Sequence, residues 1–143
     1  QFGLMGLAQR AGWVGQEARS AGPVWMGGAP VSVQIEPAKG ATRAVLVARD
    51  AAGNIAAREE VPVTAGAYQW LGGDMAGNPL PAGQYRLTVE SWNGDQQLAT
   101  TPVQSYARIT EARNGPDGVT LLLQGGISVK ATEVTALRAA SSG

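Results

Sequence analysis

The chain has neither cysteine nor histidine in 143 residues. Without thiols there is no disulfide framework and no cysteine nucleophile, and without imidazole there is no Ser-His-Asp triad and no Cys/His zinc site. A cysteine-free chain remains compatible with an oxidising compartment. Charge is sparse too: 15% of residues are charged, and eleven basic against eleven acidic residues cancel to zero. No Lys/Arg cluster interrupts that balance, so nucleic acid and anionic membrane find no electrostatic footprint, and any partner is expected to be a protein. No apolar run is long enough to span a bilayer. No signal peptide opens the chain, which starts at Gln1-Phe-Gly-Leu without a Met and is expected to be a fragment lacking its N-terminal part.

What is present is turn chemistry. Twenty Gly and eight Pro stand among 44% hydrophobic residues, a composition of many short elements around a core, and the expected class is all-β. The stretch 68–85, Tyr-Gln-Trp-Leu-Gly-Gly-Asp-Met-Ala-Gly-Asn-Pro-Leu-Pro-Ala-Gly-Gln-Tyr, joins a strand ending at Trp70 to one starting at Tyr85. Residues 85–92 alternate apolar with polar in the period of a half-buried strand. Between the two strands, Gly72, Gly73 and residues 74–77 supply tight turns, and Pro79, Pro81 and Gly83 steer the chain into a defined register. This loop reads as scaffold.

Elsewhere the chain is organised in the same way. Leu4, Leu7, Ala8 and Ala11 recur at helical spacing, and Gly12 ends a short helix over 1–12. Two short strands follow, over 13–19 and 23–26. Val31, Val33 and Ile35 alternate with polar residues. Over 42–50, Ala44, Leu46 and Ala48 are expected to point inward, because Arg43 and Arg49 share the other parity. Residues 50–54 form a hairpin turn with Gly53 and Asn54 free to take the left-handed conformation, and Pro62 marks an edge or the end of the returning strand over 55–63. Asn93-Gly-Asp95 is a hairpin signal before a strand over 96–101. Turns about every 8–12 residues predict an immunoglobulin or fibronectin III-like sandwich over 31–105. Further short strands over 106–137 are too few to bury themselves, as are those over 13–30. The economical arrangement joins 13–30 with 106–138 into one small barrel with the sandwich inserted. Residues 139–143 are expected to be a disordered tail.

Candidate chemistry is thin. Asp50, Asp74, Asp95 and Asp117 stand one per turn, whereas calcium takes about six to eight oxygens, usually with several carboxylates from one loop. Turn capping is the better assignment. Glu59 and Glu60 point to opposite faces of a strand, which makes them a poor acid and base pair. Gly27-Gly28 and Gly125-Gly126 lie in no phosphate-loop pattern. No catalytic, metal or cofactor residue is assigned, and no enzymatic role is expected. Trp70 and Trp13 are expected in the core. Trp92 shares the parity of Arg86, Thr88 and Glu90 on the outer face. With Trp25 and Met26, which lie beside a Gly-rich turn, it is a candidate partner contact.

Trp70, Gly72, Asp74, Gly77, Pro81, Gly83 and Tyr85 resemble the Trp-Asp-Gly-x-Asp-x-x-Gly-x-x-Leu-Pro-x-Gly-x-Tyr signature of the Ig-like domain in bacterial flagellar hook-capping proteins, also called basal-body rod modification proteins. Leu71 departs from it, standing where Asp is usual. Trp13-Val-Gly-Gln-Glu resembles the start of that family's flanking barrel, and Asp117-Gly118, Leu121, Leu123, Gly126, Val129 and Glu133-Val134 resemble its close. The resemblance implies a Tudor-like barrel around an Ig-like insert. It also implies a non-enzymatic scaffold, exported by the flagellar apparatus, that forms a ring cap at the distal end of the growing hook and promotes addition of hook subunits. The alternative expectation is an Ig-like module of a secreted protein binding carbohydrate or protein through exposed aromatics.

Overall fold

A computed structural model describes residues 10–140. The helix expected over 1–12 lies almost wholly outside the described residues, as does most of the 139–143 tail. The strands run in order β1 (Glu17–Ser20), β2 (Val24–Met26), β3 (Val31–Ile35), β4 (Arg43–Arg49), β5 (Ile55–Val61) and β6 (Gly66–Trp70). After the long loop come β7 (Gly83–Asn93), β8 (Gln96–Pro102), β9 (Gln104–Gly115), β10 (Gly118–Leu123), β11 (Ile127–Lys130) and β12 (Ala136–Arg138). They fall into two compact units, one from the described parts of Gln1–Gly22 and Ser105–Gly143 and one from Pro23–Gln104.

The first unit is the sheet β11-β10-β9-β1-β12. Its long strand β9 pairs with β1 through residues 105–108 and with β10 from Ile109 onward. A bulge makes this possible. Leu123 faces Ile109 and Leu122 faces Glu111, so Thr110 is the extra residue, and its hydroxyl donates to the Leu122 carbonyl at 3.1 Å. An unpaired residue of this kind bends its strand and raises the local twist. Ala18, Ile109, Leu121, Leu123, Ile127 and Val129 then converge on one core, with Trp13 packed against it. Near the end of the segment where further short strands were expected, Ala131–Glu133 is a 3-10 turn and pairing resumes at Ala136. The Glu133 carboxylate accepts the Lys130 N–H at 2.7 Å, which favours the turn over an extended chain.

The second unit is a sandwich. One layer is β2-β7-β4-β5 with β8 also on β7, and the other holds the antiparallel pair β3–β6. Val33, Ile35, Leu46, Trp70, Leu87 and Val89 pack between them. Ala44, Leu46 and Ala48 point inward as their parity predicts. Strand β2, expected with the flanking barrel, belongs instead to the sandwich: it pairs with residues 83–85 of β7, and Val24 and Met26 join this core.

Two features escape simple alternation. Val45 and Val47 are buried although they share the outward parity of Arg43 and Arg49. Register explains them. Arg58 stands opposite Val47 on one side of β4, Glu90 stands opposite Val45 on the other, and the two close an ion pair at 2.7 Å across that strand. The arginine stem covers the valines while its head stays polar. The second feature is Glu59, which shares the inward parity of Ala57 and Val61 on β5, an edge strand, and accepts the Tyr68 hydroxyl of β6. A carboxylate turned inward at an edge discourages pairing with another chain.

Candidate interaction surface

The signature loop is built for support. Trp70 is fully buried and meets the Tyr85 ring edge-on at 5.8 Å between centroids. The Tyr85 hydroxyl donates to the Pro81 carbonyl at 2.6 Å, four residues upstream, in the manner of the tyrosine corner of β-sandwiches. This bond fixes the Pro81-Ala-Gly83 bend. Burial, and then the Asp50 carboxylate, raise the Tyr85 hydroxyl above its ordinary 10.0. The Asp74 carboxylate accepts the N–H groups of Ala76 and Asn78 at 2.9 and 2.8 Å, Gly77 takes φ +86°, and Leu80 N–H returns to the Gly72 carbonyl at 2.8 Å. Gly72, at φ +73°, lies so close to Met26 that a Cβ there would stand 2.5 Å from its methyl carbon.

That packing corrects one expected contact. Met26 is 2% exposed and closed over by Gly72, so it is a core residue and not a contact for partners. Strand alternation is the cause, because Val24 and Met26 face inward and leave Trp25 outside, 44% exposed. Trp92 faces outward too, but Arg43 lies over its ring at 5.4 Å and the side chain is half-buried. The exposed aromatic surface on this face is therefore concentrated at Trp25. Leu71 and Met75, each 69% exposed, add apolar surface on the signature loop. Leu71 stands where the hook-capping signature usually has Asp, and it reaches solvent, while Asp74 still caps the turn.

Asp50 repeats the Asp74 pattern, accepting from Ala52 and Asn54 N–H at 3.0 Å each. In that turn only Gly53 takes a positive φ, and Asn54 stays in the ordinary region. Glu59 and Glu60 separate as strand parity requires: Glu59 meets Tyr68, and Glu60 meets Arg43 at 3.7 Å. Among the described residues no group of three or more Asp or Glu is placed to hold a metal ion. No described helix is long and apolar enough to cross a membrane.

Sequence reasoning did not find how charge is arranged on the outer face of β4 and β7. Arg43 is tied to Glu60 and Arg58 to Glu90. Arg49 instead sits directly opposite Arg86, and the next outward residue on β7, Gln84, sits opposite Trp25. Arg86 and Gln84 line a surface pocket of about 150 Å³ with Pro23, Asp50, Ala51 and Tyr85. The signal in sequence would have been the pairing register, which parity within single strands does not supply.

Comparison with known proteins places this geometry. The family model of the FlgD Ig-like domain matches residues 20–95. The fold is similar to FlgD of Xanthomonas campestris, a protein described in connection with the hook capping essential for flagellar assembly. The TM-score is 0.71 at 22% identity over 96% of this chain and 100% of that one. It is likewise similar to FlgD of Pseudomonas aeruginosa, at a TM-score of 0.71 and 16% identity over 88% and 98% of the two chains. No curated protein sequence matches significantly.

Proposed function

We propose, from the premise that the chain belongs to the FlgD Ig-like domain family, that it is a non-enzymatic scaffold of the flagellar hook cap. In this reading it stands at the distal end of the growing hook and guides the addition of hook subunits. The flanking unit serves as the family's Tudor-like barrel, self-association gives a ring, and the protein reaches its place through the flagellar export apparatus. The observation that carries the reading is the family match over the sandwich, joined to a signature loop whose side chains are spent on turns and core packing. Trp70, Tyr85, Asp74 and Gly72 are all committed to holding the loop. A scaffold needs such rigidity and surfaces to template addition, and it makes or breaks no bond. Trp25 and Trp92 are the proposed partner contacts, Trp25 foremost because it is the more open.

Deletion of the gene in its host tests this. Hook subunits are expected in the medium while cells lack hooks, with assembly restored by the intact gene. Normal hooks on the deletion strain would overturn the assignment.

A further inference from the structure

Arg49 and Arg86 face each other directly across β4 and β7, an arrangement that lowers sheet stability. Neither is neutralised: among the described residues no carboxylate lies within 4.0 Å of either guanidinium, although Arg43, Arg58, Arg113 and Arg138 each have one. Arg49 donates to the Gly53 carbonyl at 3.1 Å, a contact that positions it without discharging it. Arg86 is exposed and borders the pocket formed with Gln84 and Pro23. On the same face, one pair further along, is Trp25.

We infer that Arg49, Arg86, Gln84 and Trp25 form a docking site for an extended segment of a partner protein that carries a carboxylate flanked by apolar side chains. The carboxylate bridges the two guanidinium forks, whose planar donors fit its oxygens. An apolar neighbour lies on the Trp25 ring, the kind of aromatic anchor on which binding energy concentrates. Charge on the rest of the face selects against a polyanion. Arg43 is already held by Glu60 and Arg58 by Glu90, so a nucleic acid or phosphate-rich surface gains little on this face beyond the one pair of guanidinium groups that a single carboxylate fills. The inference deepens the scaffold reading by giving the chemistry of the segment bound, and it rests on that reading only for which protein supplies it.

The test uses the chain labelled with nitrogen-15 and an acetylated, amidated peptide Leu-Glu-Leu-Glu-Leu, followed by NMR. The Trp25 indole N–H and the Arg49 and Arg86 side-chain N–H signals are expected to move together, while the Trp92 indole signal stays. The movement should weaken as salt is added. Arg86→Glu should abolish it and leave the melting temperature unchanged or higher, because an attraction replaces a repulsion at that pair. Arg49→Gln and Arg86→Gln should each weaken binding severalfold. Equal movement with Leu-Lys-Leu-Lys-Leu, stronger movement with an oligonucleotide, no movement of these three signals, or a lower melting temperature for both Arg86 variants would each overturn the inference. None of these readouts needs a flagellum, so a failure here is distinct from a failure of the hook-cap reading.

Discussion

Replacing Gly72 by alanine tests the idea that the signature loop is locked by packing on the core. Two costs add. A left-handed backbone, here φ +73°, strains an L residue by about 1–2 kcal/mol. The new methyl would stand 2.5 Å from the Met26 methyl carbon and 2.6 Å from its sulfur, an overpacking that costs about 1–3 kcal/mol. The total is about 3 kcal/mol, with Met26 flexibility drawing it toward the lower end. Gly77→Ala is the control. Its φ is +86° but no atom lies within 4 Å of the added carbon, so it carries strain alone. Urea unfolding followed by tryptophan fluorescence reports both, since Trp70 is fully buried beside the loop. Met26→Ala alone should cost about 2–5 kcal/mol for the cavity. Combined with Gly72→Ala it should fall short of additivity by about 1–3 kcal/mol, because the methyl then enters space that Met26 vacated. Strict additivity, or equal costs for Gly72→Ala and Gly77→Ala, would refute the packing argument.

Other expectations follow from the same geometry. Burial first, and the Glu59 hydrogen bond second, push the Tyr68 hydroxyl from 10.0 up to about 12. The folded state thus prefers the neutral phenol, and its contribution to stability is complete below about pH 10 and lost as pH rises through about 12. Glu59→Gln should lower the Tyr68 midpoint in an ultraviolet titration, and an unchanged midpoint would contradict the assignment. Arg58→Ala should cost about 1 kcal/mol or more in urea unfolding by uncovering Val45 and Val47, whereas Arg58→Met keeps the stem and costs less. Equal losses would mean that the charge, and not the cover, matters. Trp92→Ala should cost about 2 kcal/mol through lost burial and the Arg43 stack. Trp25→Ala should cost about 1 kcal/mol or less yet impair hook assembly, a contrast that thermal melts and motility assays together would reveal.

Much of the fold could be read in advance because it rests on local chemistry. Asn93-Gly-Asp95 turns β7 into β8, Pro62 follows the end of β5, and the alternation of Ala44, Leu46 and Ala48 gives the inward face. What local pattern could not give was pairing. The place of β2 beside β7, the cover that Arg58 and Glu90 provide for Val45 and Val47, and the opposition of Arg49 to Arg86 all depend on which residue stands across from which. Met26 shows the same limit at one residue. A methionine beside a Gly-rich turn looks available, and only the parity of a three-residue strand, closed by a glycine from a distant loop, buries it.

The most direct test of the account is to place a labelled copy of the protein in the deletion strain and image growing hooks by electron microscopy. The account predicts label at the distal tip of growing hooks, with subunits adding beneath it. Label confined to the cell body or medium while hooks lengthen normally would contradict it.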